Sequence, residues 1–304
     1  MKPVTTQNTW SCESHPAGRG GALIKAVKIL AAAFVLMSAF LWKIPAAAKS
    51  YSYWTVREIF KAYTVAGTWN MEKLTSEHFY VKFRPEDRDG AALALETAEY
   101  FYRPVTEDFG YVPRVRVPII LYSSKAELNR SFGWEAKESA IGVYYAGAIR
   151  VLSPHSWIYE DGPGSVKETF VSSGPMAHEF THLMVDYLTG GNYPRWFTEG
   201  MAQYEEYKLT GFEFSEPEGA SNNGFYSMKD IAENFDDLPS QSLAYREAFA
   251  AVRYIAGVYG EDTLYDLIKS LGDGMEFEDA MQKHLKLDYD GLEKCRREWA
   301  LSNY

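Results

Sequence analysis

The sequence predicts an α+β fold: a strand-and-helix half, then an almost wholly helical half, with one hydrophobic helix near the amino terminus. Three observations carry this. Strand-like apolar runs occur only before about residue 152, and from Met228 onward apolar residues recur at three and four. Between the two lies Gly174–Tyr207, where His178 and His182 stand four apart, on one face of a helix.

Residues 1–21 are polar, rich in Ser, Thr and Gly and patternless, the composition of a disordered segment. Residues 22–48 read as a signal anchor or a signal peptide. Ile29–Trp42 is uncharged, with Lys25 and Lys28 ahead of it and Lys43 behind. Such a short run suits a signal-peptide apolar region, and Ala46-Ala47-Ala48 offers an Ala-x-Ala cleavage site. The competing reading is an uncleaved anchor over residues 22–43, widened to about 20 residues by snorkelling lysines. The long polar lead before Lys25 favours the anchor. The expected location is therefore the cell membrane, single-pass with the body extracytoplasmic, or outside the cell after cleavage near Ala48.

The net charge of −10 is unevenly spread: residues 1–48 carry +4, so residues 49–304 carry −14. An acidic body argues against nucleic acid or anionic lipid as its ligand. Cys12 and Cys295 are too few for a disulfide framework and have no metal-ligand spacing.

Residues 49–75 read as a connecting helix and linker, with large apolar groups at helical spacing over 51–63 that dock on the body or lie on a membrane surface. The body spans 76–304, its sheet half about 76–190 and its helical half about 191–304. Residues 78–83 and 115–122 read as strands. Between them Glu86–Phe109 is helical, with Pro104 expected to bend or interrupt it. A short helix capped by Ser123 or Ser124 runs to Phe132, and residues 141–146 and 148–152 form a hairpin about Gly147. A loop of about twenty residues, with Asp161-Gly162-Pro163-Gly164, leads to the histidine helix. Pro194 to about Leu209 is the next helix, Thr210–Gly224 an acidic loop or lid, and helices follow over 228–235, 241–259, 261–271, 275–285 and 289–301.

Two imidazoles one turn apart can reach one metal ion, and Glu179 stands beside the first without having to ligate it. A catalytic zinc takes three protein ligands and keeps one position open. Glu199 is the chosen third: it falls seventeen residues past His182, after a Gly-Gly turn, where an antiparallel helix pair returns a side chain to the histidines. Glu205 and Glu206 are its alternatives. The plain reading of the histidine pair is chance surface or core placement, made less attractive by there being six histidines in the whole chain. Asp186 and Glu206 are candidates to orient the ligand histidines.

His178-Glu179-Phe180-Thr181-His182 with Trp196-Phe197-Thr198-Glu199-Gly200-Met201-Ala202 resembles the gluzincin metallopeptidases, in particular the exported peptidase MA-like group. The likeness extends over about residues 76–301, including Tyr245 before Phe249 and Tyr254, Tyr259-Gly260 and Phe277-Glu278-Asp279-Ala280. It implies a zincin-like fold: a small twisted mixed sheet beside a cleft, the motif helix along its floor, a helical subdomain opposite. It also implies one Zn2+ on His178, His182 and Glu199, with Glu179 as general base in peptide-bond hydrolysis. In related enzymes a tyrosine or histidine of the helical half donates to the oxyanion. Tyr245 is best placed for that by sequence order, ahead of Tyr204 and His155, although among 22 tyrosines an ordinary core or surface role competes. One departure stands out. Four residues after Glu199, where thermolysin-like relatives place an acid, this chain has Gln203.

Zincins also offer an edge strand to extended substrate, and the strand Gly147–Val151 is the candidate for strand addition, beside its plain reading as a half-buried strand. The expected function is an exported or membrane-anchored zinc peptidase acting on peptides or proteins, with the membrane met through residues 22–43 and no nucleic acid involved. The alternatives are a non-catalytic envelope binding protein on the same fold and a zinc hydrolase of another amide. Glu179 favours catalysis, since a binding module needs no acid there.

Overall fold

The computed structural model describes residues 46–132, 140–159, 163–213 and 225–303. The polar segment 1–21, the apolar stretch 29–42 and most of the segment 210–224 lie outside them. Among the described residues no helix is long and apolar enough to cross a membrane.

Helix α1 (Ala46–Ala66) precedes the sheet. It buries Arg57, whose guanidinium lies 3.7 Å over the Tyr187 ring, and leaves Val56, Ile59 and Tyr63 exposed on its other side. Strand β1 (Glu72–Thr75) then pairs antiparallel with β2 (Phe79–Phe83). Sequence reasoning missed β1 because Glu-Lys-Leu-Thr carries a single apolar residue and no alternation. In β2 the alternation is clear, with Phe79, Val81 and Phe83 fully buried.

Helix α2 (Arg88–Phe109) runs unbroken through Pro104 to a left-handed Gly110. The expected interruption does not occur. Phe101, Tyr102, Val105 and Phe109 are buried on both sides of the proline, so packing holds the turn whose N–H bond is missing. Strand β3 (Val117–Tyr122) pairs parallel with β2, and the short α3 (Lys125–Phe132) follows.

The hairpin of β4 (Gly142–Tyr145) and β5 (Ala148–Leu152) turns at Ala146 and Gly147, both with positive φ, which matches strand twist in a two-residue turn. The sheet has five strands in the order β1-β2-β3-β5-β4, with β2, β3 and β5 parallel and both outer strands antiparallel to their neighbours. This corrects the expected docking strand. β5 is interior, paired on both sides and buried throughout, while β4 is the edge. An almost continuous apolar run such as Ala-Ile-Arg-Val-Leu belongs to a central strand, not a rim.

Where sequence reasoning placed a loop, the chain forms a 3-10 turn at Pro154–Ser156 and helix α4 (Pro163–Ser173). Its Gly, Ser, Thr and Lys residues dilute the apolar pattern, yet Phe170 is fully buried against Trp157. Helix α5 (Met176–Thr189) follows and packs on the sheet, with Phe180 edge-on to Phe79 at 5.3 Å and stacked on Tyr102 at 5.7 Å.

The rest is helical: α6 (Arg195–Thr210), α7 (Met228–Asn234), α8 (Gln241–Tyr259), α9 (Glu261–Gly272), α10 (Phe277–His284) and α11 (Tyr289–Asn303). The α6–α8 approach is close enough to require glycine at 200. A Cβ there would lie 2.5 Å from the Ala248 carbonyl oxygen and 2.6 Å from a Val252 methyl.

Candidate metal centre

Helix α5 carries His178, Glu179 and His182 into a buried position at the start of the chain reversal. A left-handed Gly190 ends the helix, taking a bond from its N–H to the Asp186 carbonyl, and Gly191 is left-handed too. Asn192 then anchors the turn by donating to the carbonyls of Leu271 and Met275. Pro194, extended, precedes the first residue of α6 and brings Glu199 back to the histidines, as an antiparallel pair requires.

His178 Nε2, His182 Nε2 and a Glu199 carboxylate oxygen converge. Glu199 Oε2 lies 3.5 Å from each Nε2, and the three ligating atoms all fall within 4.8 Å of one another. Glu199 is 2% exposed and His182 7% exposed, while His178 is only partly buried and forms the open side of the group. Glu199 Oε2 is buried without a hydrogen-bond partner, an expensive arrangement for a carboxylate oxygen unless something else occupies its lone pair. Tetrahedral ligands about 2.05 Å from a zinc ion stand about 3.3 Å apart. The residues fit such an ion.

The remaining polar atoms of the three side chains are occupied. His178 Nδ1 lies 3.2 Å from Glu206 Oε2, and His182 Nδ1 lies 2.7 Å from Thr198 Oγ1. Arg195 Nη1 lies 2.8 Å from Glu199 Oε1, and its Nε reaches Asp236 at 3.3 Å. Each imidazole therefore has its Nδ1 fixed outward and its Nε2 aimed inward, the arrangement that orients metal-ligating histidines.

The electrostatics follow from burial and neighbours. Burial works to raise the Glu199 carboxyl, but His182, Arg195 and His178 together hold it well below the usual carboxylate range. Burial opposes protonation of His178, yet the closeness of the Glu199 and Glu206 carboxylates, and of Glu179, pushes it well above the ordinary imidazole value. Glu179 moves the other way: burial raises its carboxyl, and the two histidines only partly offset this. Of the two shifted carboxyls, Glu199 and Glu179, only Glu179 is raised, the direction in which the carboxylate of a general base is tuned. Its Oε2 accepts a hydrogen bond from the Tyr144 backbone N–H of edge strand β4. Gly142 lets β4 lie this close, since a Cβ there would sit 2.3 Å from Pro175 Cβ and 2.9 Å from Glu179 Oε1.

A family model for the Peptidase MA superfamily matches residues 105–302. The chain belongs to that superfamily. No curated protein matches it. The matched stretch of this Peptidase MA member takes in β3 to β5, α5 and α6, and leaves α1, β1 and β2 outside.

The structure thus brings together His178, Glu179, His182, Glu199 and Glu206. Tyr245, on α8, packs against Phe235 at 5.3 Å, and burial raises its phenol, reinforced by Glu199 and opposed by Arg195. It lies within electrostatic reach of Glu199, Arg195 and Glu179. Tyr204 points elsewhere, its hydroxyl donating to Glu261 at 3.0 Å. His155 sits in the 3-10 turn beside Gly90 of α2. Asp186 does not orient a ligand histidine. It accepts from Tyr53, Tyr144 and Arg57 instead.

Thr198 and Arg195 were missed by sequence reasoning, although both stand beside or one turn before Glu199. Thr198, with Glu206, also accounts for Gln203. With Thr198 on His182 and Glu206 on His178, no acid is needed four residues after Glu199, and Gln203 Nε2 ties α6 to α8 by donating to the carbonyls of Glu199 and Tyr245.

Proposed function

We propose that this chain is a zinc-dependent peptidase, with one Zn2+ held by His178, His182 and Glu199 and with Glu179 as the general base. The observation that carries the proposal is the orphaned Glu199 Oε2, 3.5 Å from both inward-facing Nε2 atoms while the other polar atoms of the triad are paired. When bound, the ion supplies Lewis acidity, polarising a scissile carbonyl and bringing the ionisation of water toward neutral pH.

The chain's own residues do the rest. Glu179 accepts the proton of the attacking water and returns it to the leaving amine, its carboxyl raised by burial and held at Oε2 by the Tyr144 N–H. Arg195 and the two histidines keep Glu199 anionic. Tyr245 is the proposed donor to the oxyanion. Extended substrate is proposed to add along β4, where the Gly142 N–H and carbonyl and the Tyr144 carbonyl turn away from β5, the Tyr144 N–H being held by Glu179; the Leu152 N–H bond to the Ile141 carbonyl sets that alternation.

We further propose that the body is extracytoplasmic and tethered through residues 22–43. The apolar run 29–42 with its lysine flanks supports this, as does the exposed Val56, Ile59 and Tyr63 face of α1 that follows in sequence.

Metal analysis and a peptide-library cleavage assay on the full chain test the reading beside two variants. Glu179→Gln is expected to keep one zinc per chain and lose at least about 100-fold in kcat. Glu199→Ala is expected to lose tight zinc binding. Full activity in Glu179→Gln sinks the mechanism, and zinc bound without cleavage of any peptide by the wild type turns the reading toward a binding protein.

A further inference from the structure

Asp186 is a fully buried carboxylate on the motif helix whose partners come from two separate parts of the chain. Tyr144 of β4 donates its hydroxyl to Oδ2 at 2.5 Å. From α1, Tyr53 donates to Oδ1 at 2.5 Å and Arg57 Nη1 reaches Oδ2 at 3.1 Å. Tyr193, in the turn before α6, lies close enough to feel the Asp186 charge.

Seven residues separate Glu179 from Asp186, so the two acids share a face of α5, about 10.5 Å apart along its axis. Tyr144 spans that gap. Its backbone N–H holds Glu179 Oε2, its phenol is held by Asp186, and its hydroxyl in turn accepts the Gly147 N–H. The edge strand is thus clamped to the motif helix at both ends of one residue.

Helix α1 closes the clamp from outside. Arg57 is 4% exposed and supplies the positive charge facing Asp186. The packing leaves no slack. A Cβ on Gly191 would fall 2.5 Å from the Tyr53 ring, and one on Gly147 would fall 3.0 Å from Lys61 Cδ. Yet α1 lies outside the residues that the superfamily model matches, and so outside what that family relationship supplies.

We propose that Asp186, completed by Tyr53 and Arg57, is a positioning residue that fixes Tyr144 and through it Glu179, making α1 part of the catalytic unit. The inference rests on the peptidase reading for its consequence and on hydrogen-bond geometry for its mechanism. Without Arg57 or the Tyr53 hydroxyl, Asp186 is short of a partner in a buried site and reorients. Tyr144 then loses its fixed acceptor, and the N–H that steers Glu179 wanders with the strand. Small misplacement of a catalytic base is costly, because catalysis depends on reacting groups being held in register.

The test uses the full, zinc-loaded chain in detergent and the single-hydroxyl variants Tyr53→Phe and Tyr144→Phe, which leave the ring packing in place. Hydrogen exchange at the Tyr144 amide is expected to rise about tenfold in each, with the amides of β1 to β3 unchanged. Zinc stays at one per chain, kcat falls about tenfold with KM within about twofold, and the double variant is no worse than the poorer single one. Arg57→Ala is expected to show the larger form of the same pattern if it folds, and Arg57→Lys a partial return. Unchanged exchange and unchanged kcat in Tyr53→Phe, against an active wild type, overturn the inference. So does a double variant whose losses multiply. A wild type that binds zinc and cleaves nothing removes the peptidase reading and the catalytic half of the inference with it, while the exchange measurement still decides the coupling between α1 and β4.

Discussion

Replacing Thr198 by valine removes one hydroxyl from a buried site and nothing else of its shape. Thr198 is 2% exposed, and its Oγ1 lies 2.7 Å from His182 Nδ1. A histidine that gives Nε2 to a metal carries its proton on Nδ1, so the zinc-loaded protein needs an acceptor there. The valine variant provides none, and a buried unsatisfied N–H costs about 1–3 kcal/mol. The metal-free protein escapes much of that cost, because the imidazole can shift its proton to Nε2 and toward Glu199 Oε2, 3.5 Å away. The difference therefore appears as lost zinc affinity, about 5- to 150-fold at 1.4 kcal/mol per tenfold. Competitive titration against a chelator at fixed pH measures it, with Thr198→Ser as the control that restores the hydroxyl. Zinc binding in Thr198→Val within twofold of wild type refutes the reasoning, since Thr198 would then not orient a ligand.

Three other outcomes are expected. Glu206→Gln keeps a hydrogen-bonding group near His178 Nδ1 but removes the charge beside it, so zinc affinity falls about tenfold and the chelator titration shows it. Gly200→Ala forces α6 and α8 apart at a 2.5 Å contact with backbone, costing about 1–3 kcal/mol, read as a lower midpoint in denaturant. The third concerns Glu205, fully buried on α6. Burial, and then its hydrogen bond to Asp108, raise its carboxyl from 4.5 to about 8, against the pull of Lys208. Because the folded form binds this proton more tightly than the unfolded form, the contribution is fully present below about pH 4.5 and is lost as pH rises to about 8. The slope is at most about 1.4 kcal/mol per pH unit. Glu205→Gln is expected to flatten the stability profile over that window, and an unchanged slope by denaturant titration counts against it.

How much of the site could be read in advance follows from how local each part is. His178, Glu179 and His182 were legible because four-residue spacing on a helix is a property of one segment. Helices over 241–259 and 261–271 were legible for the same reason, and α4 was not, because Ser, Thr and Lys mask the burial of Phe170. Glu199 needed the turn and the resemblance together. The partners on Nδ1 were only half legible: Glu206 stood among the candidates, whereas Thr198 is a residue type that satisfies itself in a hundred other ways.

The amino-acid sequence alone determined the α+β order, the helix that presents two imidazoles on one face, the acid beside the first of them, and the turn that returns Glu199. These rest on periodicity and chain reversal, which act over one or two elements. Only the tertiary structure decided which strand is the edge, and that Asp186 serves Tyr53, Arg57 and Tyr144 instead of a histidine. Pairings across 42 to 133 residues depend on how whole elements pack, and the free energy that selects among them is shared over the core. A buried carboxylate must find donors, but its position in the chain does not say from which direction they come.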